Sequence, residues 1–164
     1  MRISLIAIAG LLMFGGCADK GAFDMFRMDE THERSVEQMR SGTIIQSFET
    51  KAIISALYLN PVYPKQYKDG EYFVAAIYFE KPQNLETKKW DIKEYGYSLT
   101  LNGASPAQME EIKENDPRRA LIPVQNKWNR YYFIRFEPAG ESSLMLRLES
   151  NQTGSVVLNY PKGR

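Results

Sequence analysis

Alternation with a period of two dominates the C-terminal third of this chain and restricts that third to β structure. In SLMLRLES, Leu144, Leu146 and Leu148 take every second position against Met145, Arg147 and Glu149. Successive strand side chains point to opposite faces, so this pattern buries one face and wets the other. GSVVLNYP repeats it with Val156, Leu158 and Tyr160, and Asn151-Gln152-Thr153-Gly154 supplies hairpin turn residues between the two. WNRYYFIRFEP sets Trp128, Tyr132, Ile134 and Phe136 on one face, interrupted by Arg130, and Tyr131, Phe133 and Arg135 on the other.

The same grammar starts after Gly42. TIIQSFETKAIISALYLNP is rich in β-branched and aromatic residues, is long enough for two strands broken near Glu49 to Lys51, and stops at Asn60-Pro61. EYFVAAIYFEKP follows a Lys68-Asp69-Gly70 turn and is apolar on both sides. That predicts a central strand with the core on one face and another element on the other, for which an N-terminal helix is the candidate. In YGYSLTLNG, Tyr95, Tyr97, Leu99 and Leu101 face one way, and Ser98 and Thr100 the other.

Two stretches depart from this pattern. Ala22 to Arg40 has no Pro or internal Gly, and Met25, Met28, His32, Val36 and Met39 recur at steps of three and four. This spacing predicts an amphipathic helix ending at Ser41-Gly42, with the sole histidine, His32, packed on its apolar face. Between Gly103 and Asn129, Ser105-Pro106-Ala107-Gln108 has the form of a capped helix start. A short helix is expected there, with Met109 and Ile112 inward, ended by Asp116-Pro117 and followed by an edge segment Leu121-Ile122-Pro123-Val124. Glu110, Glu111, Glu114 and Asp116 then stand beside Arg118, Arg119 and Lys127 as a self-neutralising surface.

The N-terminus carries an address. LIAIAGLLMFGGC follows the basic Arg2 and is shorter than the ~20 apolar residues that span a bilayer. Its last residues, Phe14-Gly15-Gly16-Cys17, resemble the lipobox of bacterial lipoproteins, with Phe14 where that family usually has Leu. The resemblance implies signal-peptidase recognition of Phe14, Gly15 and Gly16, cleavage after residue 16, and a diacylglyceryl, palmitate-bearing Cys17 as the lipid attachment site. Ala18, in place of the Asp that marks retention at the inner membrane, implies the outer membrane. Residues 1–16 are then signal peptide, 17–42 a lipidated tether with the helix, and 43–164 the folded domain.

Charge and composition narrow the function classes. Lys plus Arg number 21 and Asp plus Glu 20, and loss of Arg2 with the signal leaves a formally neutral chain. This balance argues against nucleic acid as a partner. With Cys17 the only cysteine and His32 the only histidine, neither a disulfide, a cysteine nucleophile nor a common zinc ligand set is expected. No phosphate-binding or dinucleotide glycine pattern occurs. The carboxylate pairs Glu110 with Glu114 and Asp69 with Glu71 read as solvated surface. The catalytic, cofactor-binding and metal-binding sets are therefore all expected to be empty.

The strand order, the turn after YLNP, the short insertion and the closing YYFIRF, LMLRL and VVLNY strands resemble small bacterial surface lipoproteins with a variant immunoglobulin-like domain. The resemblance implies an antiparallel β-sandwich of about seven strands, with Tyr131 or Tyr132 in a tyrosine-corner role. It also implies an adhesive or assembly function, with an envelope or host protein as partner and the membrane held through the anchor. Glu149-Ser150-Asn151-Gln152-Thr153 further fits the bacterial N-glycosylation pattern, making Asn151 the candidate acceptor. The alternatives from other classes are an envelope hydrolase using carboxylates and a ligand-binding accessory of a transport complex.

Overall fold

The computed structural model describes residues 30–80 and 91–162. Helix α1 (Glu30–Glu37) leads into strands β1 (Met39–Gln46), β2 (Glu49–Tyr58) and β3 (Glu71–Phe79). After these come β4 (Ser98–Leu101), β5 (Gln108–Glu111), a 3-10 helix (Pro117–Leu121), β6 (Arg130–Phe136), β7 (Ser143–Ser150) and β8 (Gly154–Pro161). All pairings are antiparallel. Two sheets form, in the orders β1-β2-β3-β6-β5 and β4-β7-β8, and they face each other as a sandwich. The described residues thus carry eight strands rather than about seven.

The alternating segments behave as their periodicity requires. Leu99, Leu101, Leu144, Leu146, Leu148, Leu158 and Tyr160 from the smaller sheet meet Ile54, Phe73, Ile77, Tyr132, Ile134 and Phe136 from the larger one. Burial of such side chains contributes about 1.5–3 kcal/mol each relative to exposure. The Tyr160 hydroxyl crosses the sandwich and donates 2.7 Å to the Ala56 carbonyl. β3 is central, and its apolar run on both faces has the expected cause: the five-stranded sheet is covered twice. The second cover differs from expectation. Leu59, Val62 and Tyr67 after β2, with Ile112 and Ile122 after β5, pack on Leu57, Val74, Ala76 and Tyr131.

Of the stretch Ala22 to Arg40, expected to form one helix, Glu30 to Glu37 are helical and residues 22–29 lie outside the described residues. Met39 and Arg40 belong to β1, paired with Leu57 and Ala56. A strand partner satisfies their backbone groups in the ladder, which a last helical turn would leave orphaned. Nor does His32 lie on a packed face. His32 and Val36 are exposed, whereas Ser35 is buried with its hydroxyl donating 2.8 Å to the Thr31 carbonyl. That local bond lets a polar residue turn inward.

Gly42 is not a helix stop but a point of close approach within β1. A Cβ there would sit 2.4 Å from Val156 Cγ2, so its absence lets β1 lie over β8. The strand break falls at Ser47-Phe48, two residues before the expected place. A β-bulge between Ile44 and Ile45 sets Ile44 opposite Ala52 and Ile45 opposite Thr50, with Ile44 buried in the core and Ile45 exposed.

The helix expected from Ser105 is a strand. Gln108 to Glu111 pair with Arg135 to Tyr132 and complete the edge of β6. Four ladder partners outweigh the helical preference of so short a segment, whose nucleation is costly. Asp116-Pro117 begins a helical turn instead of ending one: the Asp116 carboxylate accepts 2.9 Å from Arg118 N–H and caps the 3-10 helix, with Pro117 first inside it. Leu121 closes that turn and Ile122 is buried, so Leu121 to Val124 form no edge strand. Trp128 precedes β6 and is exposed, outside the face assigned to it.

Candidate functional site

Two hairpins meet at one end of the sandwich. β1 enters from α1 at the opposite end and runs to the turn Ser47-Phe48, beside the β7–β8 turn of Asn151, Gln152 and Thr153. The Gln46 side-chain amide donates 2.8 Å to the Gln152 carbonyl and joins the two tips. Thr153 donates 2.9 Å to the Tyr97 hydroxyl, anchoring the second turn to the sheet beneath. Asn151 is exposed at this tip.

The first tip is built against local preference. Ser47 and Phe48 have φ of 52° and 66°, the signature of a type I′ turn. That turn is the domain of Asn-Gly, because two consecutive left-handed residues crowd any Cβ. Such strain costs about 1–3 kcal/mol per residue. The Phe48 ring is also fully exposed, at 104% of its reference area, and Ile45 nearby is 63% exposed.

The charged insertion neutralises itself as its composition implies. Arg118 bonds both Glu110 oxygens at 2.9 Å and Asp116 at 2.6 Å. These bonds hold the Glu110 and Asp116 carboxyls below their usual range. Arg130 forms a second fork with Glu111 at 2.9 and 2.8 Å. Glu110 and Glu114 do not act as a helical pair: one is on β5 under Arg118 and the other is exposed beyond the strand.

Glu71 is the residue that sequence reasoning misplaced. Its expected partner Asp69 is exposed and accepts 2.6 Å from the Tyr72 hydroxyl. Glu71 itself is 2% exposed, and its carboxylate accepts from the Tyr58 hydroxyl at 2.6 Å, Lys162 Nζ at 2.6 Å and Ala139 N–H at 3.0 Å. Burial alone raises this carboxyl; the three donors outweigh burial and bring its pKa below the ordinary value. Burial and the same carboxylate push the Tyr58 phenol well up. The cluster ties the C-terminal segment to the base of β3, a structural arrangement in which every group is paired. Its one sequence signal was an acidic residue opening a run apolar on both faces.

Cys17 and the segment Phe14-Gly15-Gly16 lie outside the described residues. His32 borders a small groove of about 210 Å3 with Tyr63, Leu121 and Pro123, away from both hairpin tips. Among the described residues no three His, Cys, Asp or Glu side chains gather to hold a metal, and no helix is long and apolar enough to cross a membrane. Tyr131 bonds as a tyrosine corner does, its hydroxyl meeting the Val124 and Asn126 carbonyls at 3.1 Å and accepting from Asn126 N–H at 2.8 Å. It lies at the start of β6. The Tyr132 hydroxyl makes no such bond.

No protein-family model, curated protein or solved structure matches this chain.

Proposed function

We propose that this chain is a lipid-anchored, non-catalytic interaction module of the bacterial cell envelope. In this reading residues 1–16 are removed and Cys17 holds the domain at the outer membrane. The hairpin end of the sandwich meets an envelope or host protein. Phe48 carries the reading. Its ring forgoes the burial that a phenylalanine gains in a core, about 1.5–3 kcal/mol, and its backbone is strained as well. Side chains displayed at such cost serve contact with a partner, because aromatic anchors concentrate binding energy at interfaces.

The sandwich is read further as immunoglobulin-like. With β1 set aside, the strand order is β2-β3-β6-β5 against β4-β7-β8. Constant-type immunoglobulin domains use the same order, A-B-E-D against C-F-G. β1 is then an added edge strand, and the core stands in for the missing disulfide. Asn151 is proposed as a glycan acceptor on the same end, since its exposed turn offers the amide to a modifying enzyme after export.

In-cell proximity crosslinking of wild type, Cys17→Ser and Phe48→Ser tests the reading. Cys17→Ser should move from the membrane to the soluble fraction. Phe48→Ser should stay at the membrane and lose the main crosslinked partner. A Cys17→Ser protein that remains membrane-bound overturns the anchor, and an unchanged crosslink pattern for Phe48→Ser overturns the contact. Hydrolysis of cell-wall glycan that one carboxylate substitution abolishes overturns the non-catalytic assignment.

A further inference from the structure

A cleft of about 490 Å3 opens where the outer edges of the two sheets come together, between β4 and β5. Neither strand has a further strand beside it among the described residues, so the sandwich gapes on this side. Leu99, Met109 and the Tyr132 ring give the cleft apolar walls. Its charged groups are balanced, Asp91 and Glu111 against Lys93 and Arg130.

At the inner end lies a polar atom without a partner. Tyr132 is 2% exposed and its hydroxyl makes no hydrogen bond among the described residues. The other deeply buried tyrosine hydroxyls are all engaged: Tyr58 with Glu71, Tyr131 with Val124 and Asn126, Tyr160 with Ala56. Among the described residues, Gln38 Oε1 is the one other buried side-chain atom left unpaired. A buried hydroxyl without a partner lowers stability, and phenylalanine would fill the same space without that cost. A tyrosine in this place is therefore explained by something the hydroxyl meets in the working protein.

We propose that this cleft binds a neutral saccharide unit, with the Tyr132 hydroxyl bonded to one of its hydroxyls. The chemistry of the walls selects the class. Two acids and two bases leave no net charge to attract an ion, while together they offer acceptors and donors to groups that both donate and accept. The Leu99, Pro106 and Met109 walls suit the C–H faces of a sugar ring. Arg130 governs access: its Cζ lies over the Tyr132 ring, 5.9 Å from the ring centre, and the Glu111 fork holds it there. A sugar reaches the phenol by shifting this side chain and bonding to the exposed fork.

The test is calorimetric titration of the purified full chain with maltose, cellobiose and N,N′-diacetylchitobiose, with citrate as the charged control, beside melting curves. Wild type should bind at least one disaccharide with Kd under about 1 mM and ignore citrate. Tyr132→Phe should weaken that binding by about tenfold while melting at the same temperature or higher. Ser105→Trp, an exposed position on the cleft, should block binding and leave the melting temperature unchanged. The proposal fails if none of the three disaccharides binds, if citrate alone binds, or if Tyr132→Phe binds like wild type. A lowered melting temperature in Tyr132→Phe also overturns it, since the hydroxyl then has a structural partner.

Discussion

The Tyr58 hydroxyl donates a 2.6 Å hydrogen bond to the buried carboxylate of Glu71, which also holds Lys162 at 2.6 Å. Residues from β2, β3 and the C-terminal segment are locked together at one point, 91 positions apart at the extremes of the Glu71–Lys162 contact.

Glu71→Gln should therefore lower stability by about 2 kcal/mol, because Lys162 loses its counter-charge and one donor is left facing another. The effect depends on pH. Glu71 titrates in the folded protein below its ordinary value of about 4.5, so its contribution is complete above that value and lost as pH falls through the folded pKa. Urea denaturation at pH 7 should separate wild type from Glu71→Gln, and the gap should shrink steadily below pH 4.5.

Gly42 and Gly70 call for alanine substitutions of unequal cost. A Cβ on Gly42 would meet Val156 Cγ2 at 2.4 Å, a methyl that rotates or shifts with its side chain. One on Gly70 would meet the Phe136 carbonyl oxygen at 2.6 Å, an atom fixed in the β6 backbone. Gly42→Ala should cost about 1–2 kcal/mol and Gly70→Ala about 3 kcal/mol. Equal losses in thermal denaturation would contradict this order.

Replacing Ser47-Phe48 by Asn-Gly should raise stability by about 1–2 kcal/mol, since it relieves two left-handed residues in a type I′ turn. The midpoint of chemical denaturation is the measurement. Under the proposed function the same variant loses its partner, so added stability and lost contact should appear in one protein.

Tyr160→Phe removes the hydroxyl that links the two sheets through the Ala56 carbonyl and should cost about 1 kcal/mol. Amide hydrogen exchange should quicken in β8 and in β2 while the distant β5–β6 pairing keeps its protection. Uniform loss of protection would mean that the tie acts globally.

The residues that behaved as read are those whose environment is set by their own neighbours in sequence. Leu144, Leu146 and Leu148 face the core because strand geometry sends alternate side chains to one side. The Asn151-Gln152-Thr153 turn was legible for the same reason. Gln108 to Glu111 were not, because a short segment takes its structure from the strand it completes, and β6 lies some twenty residues further along the chain. The candidate site divides in the same way. Asn151 could be placed on a turn from its own pentapeptide, whereas nothing local marked Phe48 as a displayed ring or Tyr132 as an unpaired phenol.

By itself, then, the sequence determined that the chain builds antiparallel strands with a shared apolar face, that a hairpin closes it, and that its charges nearly cancel. Periodicity, turn chemistry and composition are local or additive quantities, and they need no knowledge of partners. Only the tertiary structure decided which glycine lies against another strand, which acid is buried beside Lys162, and which tyrosine lacks a partner. Each of those depends on atoms brought together from distant positions, where burial and pairing, rather than residue type, set the energy of the group.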